Sequence, residues 1–102
     1  MSLPDISHLQ AAVLDALGPK QITGRDLRDA LSKKGIKKSG PGFYQLMARL
    51  EDAKFVTGEY REKIVEGQRI NERIYTLTGE GAKALRDTTQ FYNALSARHG
   101  LA

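Results

Sequence analysis

Residues 39–81 change their hydrophobic period twice, and this change constrains the fold more than any other feature of the chain. From Pro41 to Ala53, apolar residues recur at helical spacing. In residues 55–78, apolar and polar residues then alternate as they do in β-strands, on both sides of a turn that contains Gly67. The order predicts a helix beside an antiparallel hairpin, followed at once by a new helix.

Stop and start residues predict three further helices, at residues 5–17, 23–34 and 79–97. The residues that mark their ends are Gly18-Pro19, Thr23, Gly35 and Thr78. The predicted fold is α+β and mostly helical: a winged helix-turn-helix with a three-helix core, a two-stranded wing and a C-terminal dimerisation helix. We expect a winged-helix DNA-binding domain over residues 1–78 and the dimerisation helix over 79–102.

Details of the hairpin can also be predicted. Glu66-Gly67-Gln68 is the expected tip, because glycine accepts a positive φ. Tyr75 and Leu77 share one face of the return strand, and we expect both to enter the core.

Composition limits the possible classes of protein. A chain of 102 residues is one domain, and without cysteine it can form neither disulfides nor thiolate metal sites. No apolar run approaches the ~20 residues that span a bilayer, and no signal peptide is visible. We expect a cytoplasmic protein with no membrane partner.

The residues do not indicate an enzyme. His8 and His99 are far apart and lack ligand spacing, and no nucleophile lies beside a base. Gly40-x-Gly42 and Gly79-x-Gly81 read as turn and cap glycines rather than phosphate loops. We therefore expect no catalytic residue, no metal and no cofactor.

The chain carries a formal net charge of +4. Residues 33–73 hold ten Lys/Arg and six Asp/Glu, whereas residues 1–32 are slightly acidic. We expect this excess in the third helix and the wing, where it would favour nucleic acid. Charge scattered over a solvated surface is the alternative, because acidic residues are interleaved throughout.

An ordered set of short motifs carries a family resemblance. Phe43-Tyr44, then Arg49-Leu50-Glu51, then Phe55-Val56 are followed by a wing that ends in the sequence RIYTLTGEG at residues 73–81. Over residues 9–85 the chain resembles the PadR-like transcriptional regulators. The resemblance implies a sequence-specific DNA-binding regulator, and specifically a repressor.

The chain departs from the family pattern at four places, one of which is a somewhat long wing, from Glu59 to Arg73. Gln45 replaces a common proline, and Lys54 stands where a glycine is usual. The tail after Ala84 is short, which leaves little chain for an effector-binding domain, so any small-molecule effector is unknown.

Side-chain chemistry selects the candidate DNA contacts. From the third helix and its N-terminus these are Ser39, Tyr44, Gln45 and Arg49; from the wing they are Arg61, Lys63, Arg69 and Arg73. Gln and Arg can read adenine and guanine, and a helix N-terminus can hold a phosphate.

Each group of candidates has a structural alternative. Tyr44 could pack on the first strand of the hairpin, and Arg49 could pair with Glu51. Some of the wing cations could pair across the strands with Glu59, Glu62 or Glu72, and we expect about two of the four to contact DNA.

The last helix carries two apolar strips, of which only one can cover the core of its own domain. Candidate interface residues are Leu85, Thr89, Phe91, Tyr92 and Leu95. We expect a two-fold homodimer in which the last helix packs on its mate, with help from the first helix. The alternative is that the helix ends early.

The partners that follow are double-stranded DNA and a second copy of the chain. A different class of function is a winged-helix protein-interaction module that does not bind DNA. The acidic wing residues favour that reading: they are Glu59, Glu62, Glu66 and Glu72.

Overall fold

A computed structural model describes residues 6–98 and confirms the predicted α+β winged helix. The helices are α1 (His8–Leu17), α2 (Gly24–Lys33), α3 (Gly40–Asp52) and α4 (Gly79–Arg98). The strands are β1 (Ile22–Thr23), β2 (Val56–Val65) and β3 (Gln68–Leu77). They form one antiparallel sheet in the order β1-β3-β2.

Polar side chains cap the helix starts and set their bounds. Ser7 and Gln10 form a capping box, so α1 begins at His8 and not at residue 5 as predicted. Thr23 caps α2 as predicted. The Ser39 hydroxyl accepts from the Gly42 N–H at 3.1 Å, and α3 therefore begins one residue earlier than predicted.

The core lies where α1, α2 and α3 meet the base of the sheet. Its most buried side chains are Val13, Leu14, Leu17, Leu27, Leu31, Phe43, Met47, Leu50, Val56 and Tyr75. Leu77 packs against this cluster while partly exposed. Both Tyr75 and Leu77 thus enter the core, as the alternation predicted.

β2 and β3 are paired along their whole length, from Val56 opposite Leu77 to Val65 opposite Gln68. The turn between them is only Glu66-Gly67, with φ of 52° and 78°, so the predicted three-residue tip is one residue too long. Two successive positive φ angles are the geometry of a type I′ hairpin turn.

The sequence prediction missed β1. Its two residues pair with Tyr75 and Ile74 and add a third strand to the predicted two. A strand of two residues is too short to show a period, so the alternation could not reveal it.

The hairpin leaves the core soon after its base. Val56 is buried, whereas Tyr60 and Ile64, which lie on the same side of the strand, are 73% and 69% exposed. We call residues 56–77 the wing. It projects far enough to contribute to the elongated shape of the molecule, which measures 58 × 26 × 21 Å.

Thr78 joins the wing to α4. Its hydroxyl donates to the Lys54 carbonyl at 2.7 Å and accepts from the Gly81 N–H at 2.9 Å. A Cβ at Gly81 would overlap the carbonyl oxygen of Phe55, so only glycine fits there.

α4 ends one residue later than predicted, and its first half packs on the core through Ala84, Leu85 and the buried Thr88. Among residues 6–98, no helix is long and apolar enough to cross a membrane. The division of the chain at residue 78 into two functional parts stays a prediction.

Candidate nucleic-acid interface

α3 buries one face and exposes the other. Phe43 and Leu50 face the core, and Gln45 and Arg49 lie one turn apart on the exposed side. Within residues 6–98 Arg49 forms no salt bridge, and the expected alternative pair with Glu51 is not formed. The two side chains best suited to reading bases are thus free on one surface.

Tyr44 precedes Gln45 on α3 and is 45% exposed. Its ring meets that of Phe43 edge-on, with centroids 5.0 Å apart. A Cβ at Gly24 would lie 2.9 Å from the Tyr44 hydroxyl, so the tyrosine reaches across the start of α2 because that position is glycine.

The wing cations are all occupied by carboxylates. Arg61 pairs with Glu59 at 3.4 Å, Lys63 with Glu72 at 3.7 Å, Arg69 with Glu62 at 3.2 Å, and Arg73 with Glu51. The Lys63–Glu72 and Arg69–Glu62 pairs cross between the strands, as the structural alternative stated, whereas Arg61 and Glu59 lie on the same strand. Glu51, from the end of α3, was not foreseen as a partner for the wing.

The basic excess does not lie where the sequence prediction placed it. The wing holds four Lys/Arg and four Asp/Glu, so its net charge is zero. The excess within residues 33–73 comes instead from four lysines at residues 33–38, ahead of α3. Counting charge over a forty-residue window had merged a basic loop with a neutral hairpin.

That loop forms one wall of a shallow concavity of about 510 Å³, which we call the basic concavity. Its lining residues are Arg25, Arg28, Asp29, Ser32, Lys37, Lys38 and Tyr44. The Arg28 Nε donates to the Lys38 carbonyl at 3.0 Å and holds the loop against α2. Within residues 6–98, no salt bridge involves the four cations of the concavity, which are Arg25, Arg28, Lys37 and Lys38.

Sequence reasoning missed Arg25 and Arg28 as candidates. They lie three residues apart on one face of the predicted second helix, and that spacing was the available signal. The negative net charge of residues 1–32 as a whole obscured this pair of arginines. Ser39, by contrast, was foreseen: it is exposed at the N-terminus of α3, next to this concavity.

A second groove, of about 440 Å³, separates α3 from the wing. Tyr44, Tyr60 and Tyr75 line it together with the Arg73–Glu51 ion pair. Burial lowers the pKa of the Arg73 guanidinium, but the charge and hydrogen bond of Glu51 outweigh burial and raise it overall. Burial raises the pKa of Tyr75 to about 12, although the nearby Arg73 opposes that rise.

The residues expected at a dimer interface lie along α4 in different surroundings. Leu85 packs partly on the core, and Thr89 is exposed. Tyr92 is hydrogen-bonded to His8 of α1 at 2.8 Å, with their rings 4.7 Å apart, and Phe91 meets Tyr92 edge-on. Leu95 is half-buried.

A shallow, mainly apolar groove of about 480 Å³ runs between the end of α1 and α4. Pro19, Leu77, Ala82, Leu85 and Thr89 contribute to its lining. In the described part of the chain, no cluster of His, Asp or Glu side chains could hold a metal ion.

No protein-family model and no curated protein matches the sequence. Solved structures do. A PadR family transcriptional regulator from Eggerthella lenta is 26% identical, with a TM-score of 0.71 over 90% of this chain and 78% of that one. A PadR-like transcriptional regulator from Bacillus cereus is 22% identical, with a TM-score of 0.71 over 90% and 87%.

Bacillus subtilis PadR in complex with operator DNA is 24% identical, with a TM-score of 0.64 over 79% of this chain and 47% of that one. The predicted PadR-like resemblance is therefore confirmed: the chain has the winged-helix fold of these regulators. The structures that it resembles are transcriptional regulators rather than enzymes.

Proposed function

We propose that this PadR-like chain is a sequence-specific DNA-binding transcriptional regulator that acts as a homodimer and represses transcription. The observation that carries the proposal is the exposed face of α3, which lies between the basic concavity and the wing. One surface thus offers side chains that can read bases and, beside them, cations that can hold phosphates.

The concavity supplies the electrostatic part of binding. Arg25, Arg28, Lys37 and Lys38 have no carboxylate to displace before they meet a phosphate. Ser39 and the first amides of α3 lie beside them at the positive end of the helix dipole, which favours an anion there.

Base reading falls to Gln45 and Arg49. A glutamine amide can form two hydrogen bonds with adenine and a guanidinium two with guanine, each worth about 1–3 kcal/mol of discrimination. Tyr44, held over Gly24, fills the space between these side chains and the concavity.

The wing contributes less than its arginines and lysines suggest. Arg61 and Arg69 are in exposed pairs that are worth at most about 1 kcal/mol each, and Lys63 is itself exposed although its partner Glu72 is half-buried, so DNA can exchange these carboxylates for phosphates. Because the carboxylates remain nearby, the net gain from each exchange is small.

A dimer gives this surface a two-fold form that suits a pseudo-palindromic site. The exposed Thr89 and the half-buried Phe91 and Leu95 on α4, together with the apolar groove beside α1, support the second copy as the partner on that side. Repression is what the family resemblance implies.

The test is to select duplexes from a random pool and then measure affinity against salt. Lys37→Gln/Lys38→Gln should lower the slope of log K against log salt by about 2, because each contact contributes about 0.9. Arg49→Ala should reduce the preference for selected over random DNA by roughly tenfold. Lys83→Gln, on α4, is the matched control and should change neither.

Two results would contradict the proposal. One is a selection that enriches no sequence. The other is equal binding of every duplex by the wild type and by all three variants. Either outcome would favour the protein-interaction module.

A further inference from the structure

Arg73 differs from the other wing cations in its surroundings. Its side chain and that of Glu51 are each only 23% exposed, whereas both members of the Arg69–Glu62 pair are mostly exposed. The Arg73 guanidinium also lies over the ring of Tyr60, 4.6 Å from its centroid. Three different elements therefore meet at one cation: the end of α3, β2 and β3.

Gly58 provides the space for this contact. A Cβ at Gly58 would overlap the Glu51 carboxylate and lie 2.8 Å from the Arg73 Nη2. The φ of Gly58 is not among the positive values, so its backbone would tolerate a side chain. The glycine is required by the ion pair that crosses β2, and not by the strand itself.

We propose that Arg73 and Glu51 are positioning residues that fasten the wing to α3 and set its angle toward DNA. Arg73 then holds Glu51 and does not contact a phosphate. This inference rests on the proposed DNA-binding function, and it removes Arg73 from the predicted DNA contacts.

The length of the wing explains why its angle to α3 matters. From Gly58 to the turn at Gly67 the wing extends roughly 30 Å, at about 3.3 Å for each residue. A rotation of about 10° at the base would move the tip by about 5 Å, which exceeds the ~3.4 Å rise along the DNA axis from one phosphate of a strand to the next. A wing released at its base would lose its contacts at the tip.

The two possible roles of Arg73 predict opposite effects of Glu51→Gln on DNA affinity. If Arg73 bound phosphate, Glu51→Gln would free it and tighten DNA binding. If Arg73 positions the wing, Glu51→Gln should weaken binding about tenfold, as much as Arg73→Gln does. The double variant should then be no weaker than either single variant, because both break the same contact.

The salt dependence gives a second distinction. Because both substitutions release the same wing, Glu51→Gln and Arg73→Gln should change the slope of log K against log salt by the same amount. If Arg73 instead contacted a phosphate, Arg73→Gln alone should lower that slope by about 0.9. Glu62→Gln is the matched control, because it removes the same charge from an exposed pair and should tighten binding by up to about fivefold.

A readout without DNA keeps the inference separate from the proposed function. Because the chain contains no cysteine, spin labels will attach only to the two cysteines introduced by Lys20→Cys and Gln68→Cys. Labelled protein diluted in excess unlabelled protein reports the distance within one chain. Glu51→Gln and Arg73→Gln should each broaden this distribution, and Glu62→Gln should not.

Tighter DNA binding by Glu51→Gln would overturn the inference, as would a label distribution that neither substitution changes. If the wild type binds no DNA while both substitutions broaden the distribution, the proposed function fails and the fastening of the wing stands.

Discussion

Single residues carry some of the most specific information in this fold, and Lys54 is an example. Its φ of 66° is left-handed, at the position between α3 and β2 where the resemblance leads one to expect glycine. A side chain in this region costs about 1 kcal/mol or more, since Cβ crowds the following carbonyl. The Thr78 hydroxyl bonds to the Lys54 carbonyl, so the backbone there cannot relax.

Lys54→Gly should therefore stabilise the protein by about 0.5–1 kcal/mol, even after the greater freedom of glycine in the unfolded chain is subtracted. The measurement is the urea midpoint at an unchanged m-value. Ala53→Gly is the control: Ala53 has a right-handed φ of −77°, and glycine should destabilise the protein there. An equal shift in both variants would contradict this explanation.

Tyr75 gives a pH-dependent prediction at the same scale. Its pKa is about 12 in the folded chain, mainly because burial disfavours the phenolate, and about 10 when unfolded. A raised folded pKa means that the stabilisation is complete below pH 10 and is lost as the pH rises toward 12. Over that interval Tyr75 should remove roughly 2–3 kcal/mol from the free energy of unfolding.

The difference between the wild type and Tyr75→Phe isolates this effect from the titration of lysines. We expect the two unfolding free energies to converge or cross between pH 10 and 12, because phenylalanine has no proton to lose. Parallel pH profiles would show that Tyr75 does not ionise differently in the folded state.

How far residue roles follow from sequence depends on whether the role is local. Thr23 acts on an amide three residues away, so its capping could be predicted, and the cap that Ser39 forms is equally local. Arg73 and Glu51 are separated by 22 residues, and no local pattern indicates that they meet. Gly58 is understandable only once that contact is known.

At the scale of elements, the wing combines a well-determined pairing with an unfavourable turn residue. Glu66 has a φ of 52° in a two-residue turn where Asn-Gly is the preferred sequence. Periodicity could predict both long strands, because ten alternating residues are enough to show a period. It could not predict β1 or the carboxylate that each wing cation meets, since both depend on which residues face each other.

Glu66→Asn should stabilise the protein by about 0.5 kcal/mol, because asparagine tolerates the left-handed region better than glutamate. Hydrogen exchange of the wing amides should slow, and the rest of the protein should change little. Glu66→Gln is the matched control: it removes the same charge and keeps the unfavourable side chain. If the glutamine variant gains as much, charge rather than backbone conformation limits the turn.

At the scale of the whole molecule, the interface proposed for DNA and the one proposed for a second chain use different elements. The concavity and the exposed face of α3 belong to α2, α3 and the loop between them. The second half of α4 lies instead beside α1, where Tyr92 meets His8. That contact uses one side of α4, so dimerisation would have to use Phe91 and Leu95 on the remaining surface.

Phe91→Glu/Leu95→Glu should therefore give a monomer, since two charges cannot be buried in an apolar helix interface. Because Thr88 belongs to the core, substitution is a cleaner test than removal of the whole helix. The monomer should keep weak, salt-sensitive DNA binding but lose site preference, because two copies of α3 must lie about 34–36 Å apart to enter successive major grooves. Asn93→Glu, at an exposed position of the same helix, is the control. Light scattering that finds the wild type monomeric at tens of micromolar would exclude the dimer. A variant that stays dimeric would move the interface to the groove beside α1.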